Sequence, residues 1–216
     1  MTDEIMALLN ENADKEQAEK MSAYMKNTFP FAGIPKPKLK ELIKPFLKAT
    51  AKEPVDWRLV FGLWDAEPRE AQYVALEYLL RHRKMLAPTD IDKLKRLIVT
   101  KSWWETVDTL DALVGGIVMK DESLKSAMLE WAKDENIWLR RVAIDFQQGL
   151  KSETDAELLG EIIKLNLGSR EFFINKAIGW SLRDYGKTDP DWVRSFVEKY
   201  GEDLAPLSIK EATRAL

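Results

Sequence analysis

The chain has no cysteine and a single histidine among its 216 residues. Without thiols it can form no disulfide framework, no cysteine nucleophile and no cysteine-based zinc site. A Ser-His-Asp triad or a histidine-rich metal site would have to use His82, which sits in Arg81-His82-Arg83-Lys84 and reads as part of a solvated basic stretch. Long hydrophobic runs are missing as well. No segment approaches the roughly 20 apolar residues of a membrane span, and the first twelve residues are acidic, without an apolar stretch of the signal-peptide kind. A cytoplasmic protein with no membrane partner is the expectation. Alternating β-branched runs are also absent, which argues against sheets.

Nor is there much excess of one charge: 33 basic and 36 acidic side chains leave a formal net charge of -3. The distribution is less even. Residues 1 to 19 carry six acidic side chains and one lysine, whereas residues 20 to 52 carry eight lysines against Glu41 alone. A second basic stretch, residues 81 to 101, holds seven Lys or Arg against Asp90 and Asp92. Basic segments behind an acidic terminus are what a surface meeting phosphate would show, although a solvated lysine-rich helix has the same composition.

What the chain does have is helical periodicity, with apolar residues at three- and four-residue spacing and Pro or Gly mostly between segments. A repeat appears at a spacing of 34. Val60, Leu94, Met128 and Ile162 form one apolar column, Leu63, Leu97, Trp131 and Leu165 a second, and Leu76, Leu110, Ile144 and Ile178 a third. Ala75, Thr109, Ala143 and Ala177 form a column of small residues. Each repeat reads as a first helix, near residues 56–64, 90–99, 124–133 and 157–167, followed by a turn and a second helix. Tetratricopeptide repeats of that period would carry an aromatic four residues after the small column, where this chain has Leu79, Leu113, Gln147 and Ser181. The expected fold is therefore all-α: one domain over residues 1–216, an α-solenoid of HEAT-like repeats with a concave groove.

Helical geometry at about 100° per residue places one stripe of the second helices away from the core columns. It holds Trp104 and Asp108, then Trp138, Val142 and Phe146, then Phe172, Lys176, Trp180 and Arg183, with Arg141 on its flank. Asp108 is the odd residue of its column, where the sister repeats have Val74, Val142 and Lys176. It reads equally as a site carboxylate or as a structural one, either an N-terminal helix carboxylate or half of a salt bridge to a neighbouring repeat, such as Asp108 with Arg141. Trp103 is read as core, and Trp138 and Phe172 as packing between repeats.

Four stretches carry a resemblance. They are Lys101-Ser102-Trp103-Trp104-Glu105-Thr106-Val107-Asp108, Asn136-Ile137-Trp138-Leu139-Arg140-Arg141, the run from Glu171 to Tyr185, and Leu204-Ala205-Pro206-Leu207-Ser208. With Tyr24-Met25-Lys26-Asn27 near the start, the chain resembles the bacterial DNA alkylation repair (AlkD-type) glycosylases over nearly its whole length. The resemblance implies a solenoid that holds duplex DNA and hydrolyses the N-glycosidic bond of cationic alkylated purines such as 3-methyladenine and 7-methylguanine, with the lesion left stacked. Carried over residue by residue, Asp108 matches the family's catalytic carboxylate, Trp104 and Trp180 the aromatic pair around the lesion's deoxyribose, and Arg141 a phosphate-binding arginine. Lys176, Arg183, Tyr24 and Lys26 are the further DNA-binding candidates. Pro35 departs from the family, standing where a polar residue facing DNA is expected.

The chemistry needs few groups. A purine alkylated at N3 or N7 already carries positive charge and is a good leaving group, so the transition state places cationic character on the sugar. One fixed carboxylate and two indole faces can stabilise that charge, each cation–π contact contributing about 0.5–2 kcal/mol. No metal and no cofactor are called for, and neutral lesions such as uracil should be poor substrates. The protein is expected to act as a monomer on duplex DNA containing alkylated purines. Two other readings stay open: a non-catalytic DNA-binding solenoid, which would bind without releasing base, and a protein-interaction scaffold, which would show no salt-sensitive duplex binding.

Overall fold

A computed structural model describes residues 1–216 and every side chain except that of residue 215. Thirteen α-helices and no strand are found among the described residues. The all-helical expectation holds. The chain packs as two compact units, Met1–Leu86 and Ala87–Leu216.

The first unit contains α1 (Thr2–Glu11), α2 (Lys15–Tyr24), α3 (Lys36–Thr50), α4 (Trp57–Asp65) and α5 (Arg69–His82). Aspartates start two of them: Asp14 accepts from the Gln17 N–H, and Asp56 from those of Arg58 and Leu59, meeting donors that a helix leaves unpaired at its N-terminus. Pro35 is the N-cap of α3, with Pro37 in its first turn. Pro45 lies inside that helix, the one proline that punctuates nothing. Helix α5 packs against α1, α3 and α4. Its Glu70 is fully buried and accepts the N–H groups of Ala32, Gly33 and Ile34 at 2.8–2.9 Å, clamping the segment before α3. Gly33 is required there: its φ is +88°, and a Cβ would collide with the Asp14 carbonyl.

His82 is not solvated. It is fully buried, with Nδ1 2.8 Å from the Tyr78 carbonyl, Nε2 2.8 Å from that of Thr50, and its ring 4.1 Å from the Tyr78 ring centroid. Composition misled because adjacent residues of a helix point in different directions, so Arg81 and Arg83 reach water while His82 between them faces inward.

The second unit contains α6 (Ile91–Val99), α7 (Trp104–Val118), α8 (Lys125–Trp131), α9 (Ile137–Asp145), α10 (Ala156–Lys164), α11 (Phe172–Tyr185), α12 (Pro190–Tyr200) and α13 (Pro206–Ala212). Helix α9 touches α6, α7, α8, α10 and α11, and α13 lies along α11. Of the twelve residues in the three apolar columns, all but Leu165 are buried. Leu165 is 47% exposed because α10 ends at Lys164, three residues before the expected end.

Two members of the expected outward stripe are core residues instead. Val142 is 0% and Phe146 3% exposed, because α9 is surrounded by helices and has little free face. Phe172 is 59% exposed rather than packed between repeats, while the neighbouring Phe173 joins Trp103 and Trp138 in an aromatic cluster with centroids 4.9–6.0 Å apart. Trp103 is half-buried there, and its Nε1 is buried without a hydrogen-bond partner.

Candidate active site

The chain turns through Lys101, at φ +49°, and an extended Trp103 before α7 begins at Trp104. Ser102 Oγ donates to the Ile98 carbonyl at 2.6 Å and Thr106 Oγ1 to that of Trp103 at 3.1 Å, which fixes where the helix starts. Four residues on, Asp108 stands one turn from Trp104 on the same side of α7. Both are half-buried. Arg141 comes from α9, whose start is set by Asn136 accepting the Trp138 N–H at 2.9 Å, and Trp180 from α11.

Asp108 and Arg141 meet in a two-point pair. Arg141 Nε donates to Oδ1 at 2.7 Å and Nη2 to Oδ2 at 3.0 Å, while Nη1 donates to the Phe173 carbonyl at 2.7 Å. The Arg141 side chain is 2% exposed and that of Asp108 22%, so the carboxylate is the open end of the pair. The guanidinium carbon of Arg141 is 5.3 Å from the Trp180 ring centroid, and Lys176 Nζ is 5.5 Å from it. The structure thus gathers Asp108, Arg141, Trp180 and Lys176 in one neighbourhood, with Trp104 on the same helix as the carboxylate.

Arg141 was assigned a phosphate by resemblance. In the structure it is buried, and each guanidinium nitrogen already donates a hydrogen bond. Lys176 and Arg183 are likewise committed, each 2.7 Å from Glu211, a buried carboxylate of α13 that also holds Arg214 at 3.0 Å. Gly179 allows α13 so close, since a Cβ there would meet Glu211 and Ser208. The Lys176 hydrogen bond and the surrounding cations hold the Glu211 carboxyl below its ordinary range. Tyr24, 73% exposed, and Lys26 lie in the first unit, at and just past the end of α2, where Lys26 and Asn27 take positive φ.

Sequence reasoning missed two carboxylates. Asp111, one turn after Asp108, and Asp145, one turn after Arg141, are both buried, and one oxygen from each of Asp108, Asp111 and Asp145 fits within 4.8 Å. The i+3 and i+4 spacings were visible, and the two aspartates share one column of the repeat with Glu77 and Gly179, but an acidic column reads equally as a solvated face. Burial pushes Asp108 above the ordinary carboxylate range, against the downward pull of Arg141. Burial, with Asp145 and Asp108 beside it, pushes Asp111 well above that range. Burial raises Asp145 to about 6, again against Arg141. For Arg141 burial works against the charge, but Asp145 and Asp108 outweigh it, and the guanidinium stays protonated. The three carboxylates are the one cluster among the described residues whose spacing would admit a metal ion. Arg141 is the cation that pairs with two of its members.

The family model for DNA alkylation repair enzymes matches residues 5–216. The chain belongs to the DNA alkylation repair enzyme family. Among solved structures, this family member is similar to one described as a predicted DNA alkylation repair enzyme from Enterococcus faecalis, at 35% identity and a TM-score of 0.87, over 94% of this chain and 96% of that one. No functionally curated protein matches it. No helix of this alkylation repair family member is long and apolar enough to cross a membrane, among the described residues.

Proposed function

We propose that this protein is a DNA glycosylase that hydrolyses the N-glycosidic bond of positively charged alkylated purines, 3-methyladenine and 7-methylguanine among them, in duplex DNA. The observation that carries this reading is Asp108: an accessible carboxylate fixed by two hydrogen bonds from a buried arginine, one helical turn from Trp104 and beside a neighbourhood that includes Trp180. In the proposed reaction the C1′–N bond breaks with its electron pair moving to the cationic base, which leaves neutral. Positive charge develops on the sugar, where Asp108 and the faces of Trp104 and Trp180 stabilise it. A water held by Asp108 adds to C1′ and gives up a proton to the surrounding solvent, leaving an abasic site. The substrate's own charge supplies the activation that a general acid would otherwise provide.

The stripe on the second helices is proposed to line the concave groove of a HEAT-like solenoid, with the lesion attacked in the stack rather than in a pocket. Lys176 and Arg183, each half-buried, and the exposed Tyr24 and Lys26 are proposed phosphate contacts. Arg141 keeps that role only by turning from Asp108. The pairing of Asp108 with Arg141 is the observation that favours the non-catalytic reading, because a matched pair presents little net charge. The deciding experiment is a single-turnover assay on methylated duplex DNA with released bases identified by mass. Duplex binding without release selects the non-catalytic protein.

A further inference from the structure

Arg141 has one positive charge and pairs with two of the three carboxylates around it. Asp108 takes its two short hydrogen bonds, and on the other side Asp145 Oδ2 lies 3.7 Å from Nη2. Asp145 is itself anchored: its Oδ1 accepts from Ser181 Oγ at 2.8 Å and from Gln148 Nε2 at 2.6 Å. The side chain is 1% exposed, and Oδ2 has no hydrogen-bond partner. A buried carboxylate oxygen left without a hydrogen bond is costly and is not explained by packing. Its single short-range counterpart is the guanidinium that also holds Asp108.

We propose that Asp145 is a positioning residue for Asp108: by taking a share of Arg141's charge, it leaves the Asp108–Arg141–Asp145 group net negative, and Asp108 presents that charge to a cationic sugar. The proposal rests on the glycosylase reading and resolves its main difficulty, since a carboxylate cancelled by its own arginine could do little for a developing cation. Opposite charges a few ångströms apart in a poorly solvated site interact strongly, so one extra carboxylate behind the arginine is felt at Asp108. Asp145 touches no substrate in this scheme; it acts through Arg141.

The role depends on Asp145 being ionised. The charged groups facing it are Asp108 and Asp111 from α7 and Arg141 from α9, and α11 presents Ser181. With Asp145 raised to about 6, base release by the wild type should climb between roughly pH 5 and pH 7 as that carboxyl loses its proton. Asp145→Asn keeps the shape and removes the charge. It should release base about ten-fold more slowly at pH 7.5, lose the limb near pH 6, and bind duplex within about two-fold of wild type. Gln148→Ala, at an exposed position, removes one hydrogen bond to the charged form and should move the limb to higher pH, which keeps the proposal testable if Asp145→Asn folds poorly.

A second readout does not require base release. Duplex DNA carrying a pyrrolidine abasic-site analogue, cationic at the sugar, should bind the wild type about ten-fold tighter than duplex carrying neutral tetrahydrofuran at that place, and Asp145→Asn should lose most of that preference. An Asp145→Asn protein that keeps the wild-type rate and acid limb overturns the proposal, as does a Gln148→Ala limb that does not move. A wild type that prefers the cationic sugar through Asp145 yet releases no base contradicts the glycosylase reading and leaves Asp145 in its role. A wild type that releases base with no dependence on Asp145 does the reverse.

Discussion

Replacing Arg141 by methionine tests whether the buried arginine holds the candidate site together. The variant removes both hydrogen bonds to Asp108, the one to the Phe173 carbonyl and the charge 3.7 Å from Asp145. Three carboxylates with oxygens within 4.8 Å of one another are then left without a cation among them. Breaking a buried ion pair by removing one partner costs about 3–5 kcal/mol. For a chain of this size each kcal/mol moves Tm by about 2–4 °C, so the expected loss at pH 8 is on the order of 6–20 °C. The pH dependence has a definite sign. Carboxyls whose folded-state pKa lies above the unfolded value destabilise the fold at high pH, and the penalty is relieved as pH falls through the folded value. Asp108, Asp111 and Asp145 are already raised, and without Arg141 the downward pull on each is lost. The deficit against wild type should therefore narrow between pH 8 and pH 5, read by thermal unfolding followed by circular dichroism. A deficit below about 2 °C at pH 8, or one that does not shrink on acidification, would refute the reasoning.

Three further outcomes are expected. Asp108→Asn should slow base release by about 10²–10³-fold while leaving duplex affinity within a few-fold, as single-turnover kinetics beside a binding titration would show. Lys176→Ala and Arg183→Ala should each lower the slope of log affinity against log salt by up to about one, with less lost where Glu211 already neutralises the cation; slopes equal to wild type would remove both from the phosphate contacts. Glu70→Ala should leave three buried N–H groups unpaired at about 1–3 kcal/mol each, and hydrogen exchange at Ala32, Gly33 and Ile34 should accelerate strongly. Unchanged protection there would show that the clamp is dispensable.

How much of this was legible beforehand follows from what periodicity encodes. The bounds of the four first helices were readable to within about three residues because apolar spacing is a local signal. Asp108 could be singled out because it is the odd residue of its column, whereas Trp104, Trp180 and Arg141 lay on or beside the outward stripe and took their roles from the resemblance. Burial of polar residues was not readable. His82 looked solvated between arginines, and Asp145 was invisible as a partner of Arg141, because each is fixed by contacts 32 to 36 residues away. Outward and inward faces also failed at Val142 and Phe146, where a helix surrounded on several sides has no single buried stripe. Glu211, which gathers Lys176, Arg183 and Arg214, becomes visible only when α13 is laid on α11.

The central claim concerns bond cleavage, and the most direct measurement is base release from methylated duplex DNA under single-turnover conditions, with products identified by mass. Free 7-methylguanine and 3-methyladenine should appear with the wild type and be all but lost with Asp108→Asn, and uracil should stay attached in a matched duplex. No methylated base released by the wild type, or equal release by wild type and Asp108→Asn, would contradict the account.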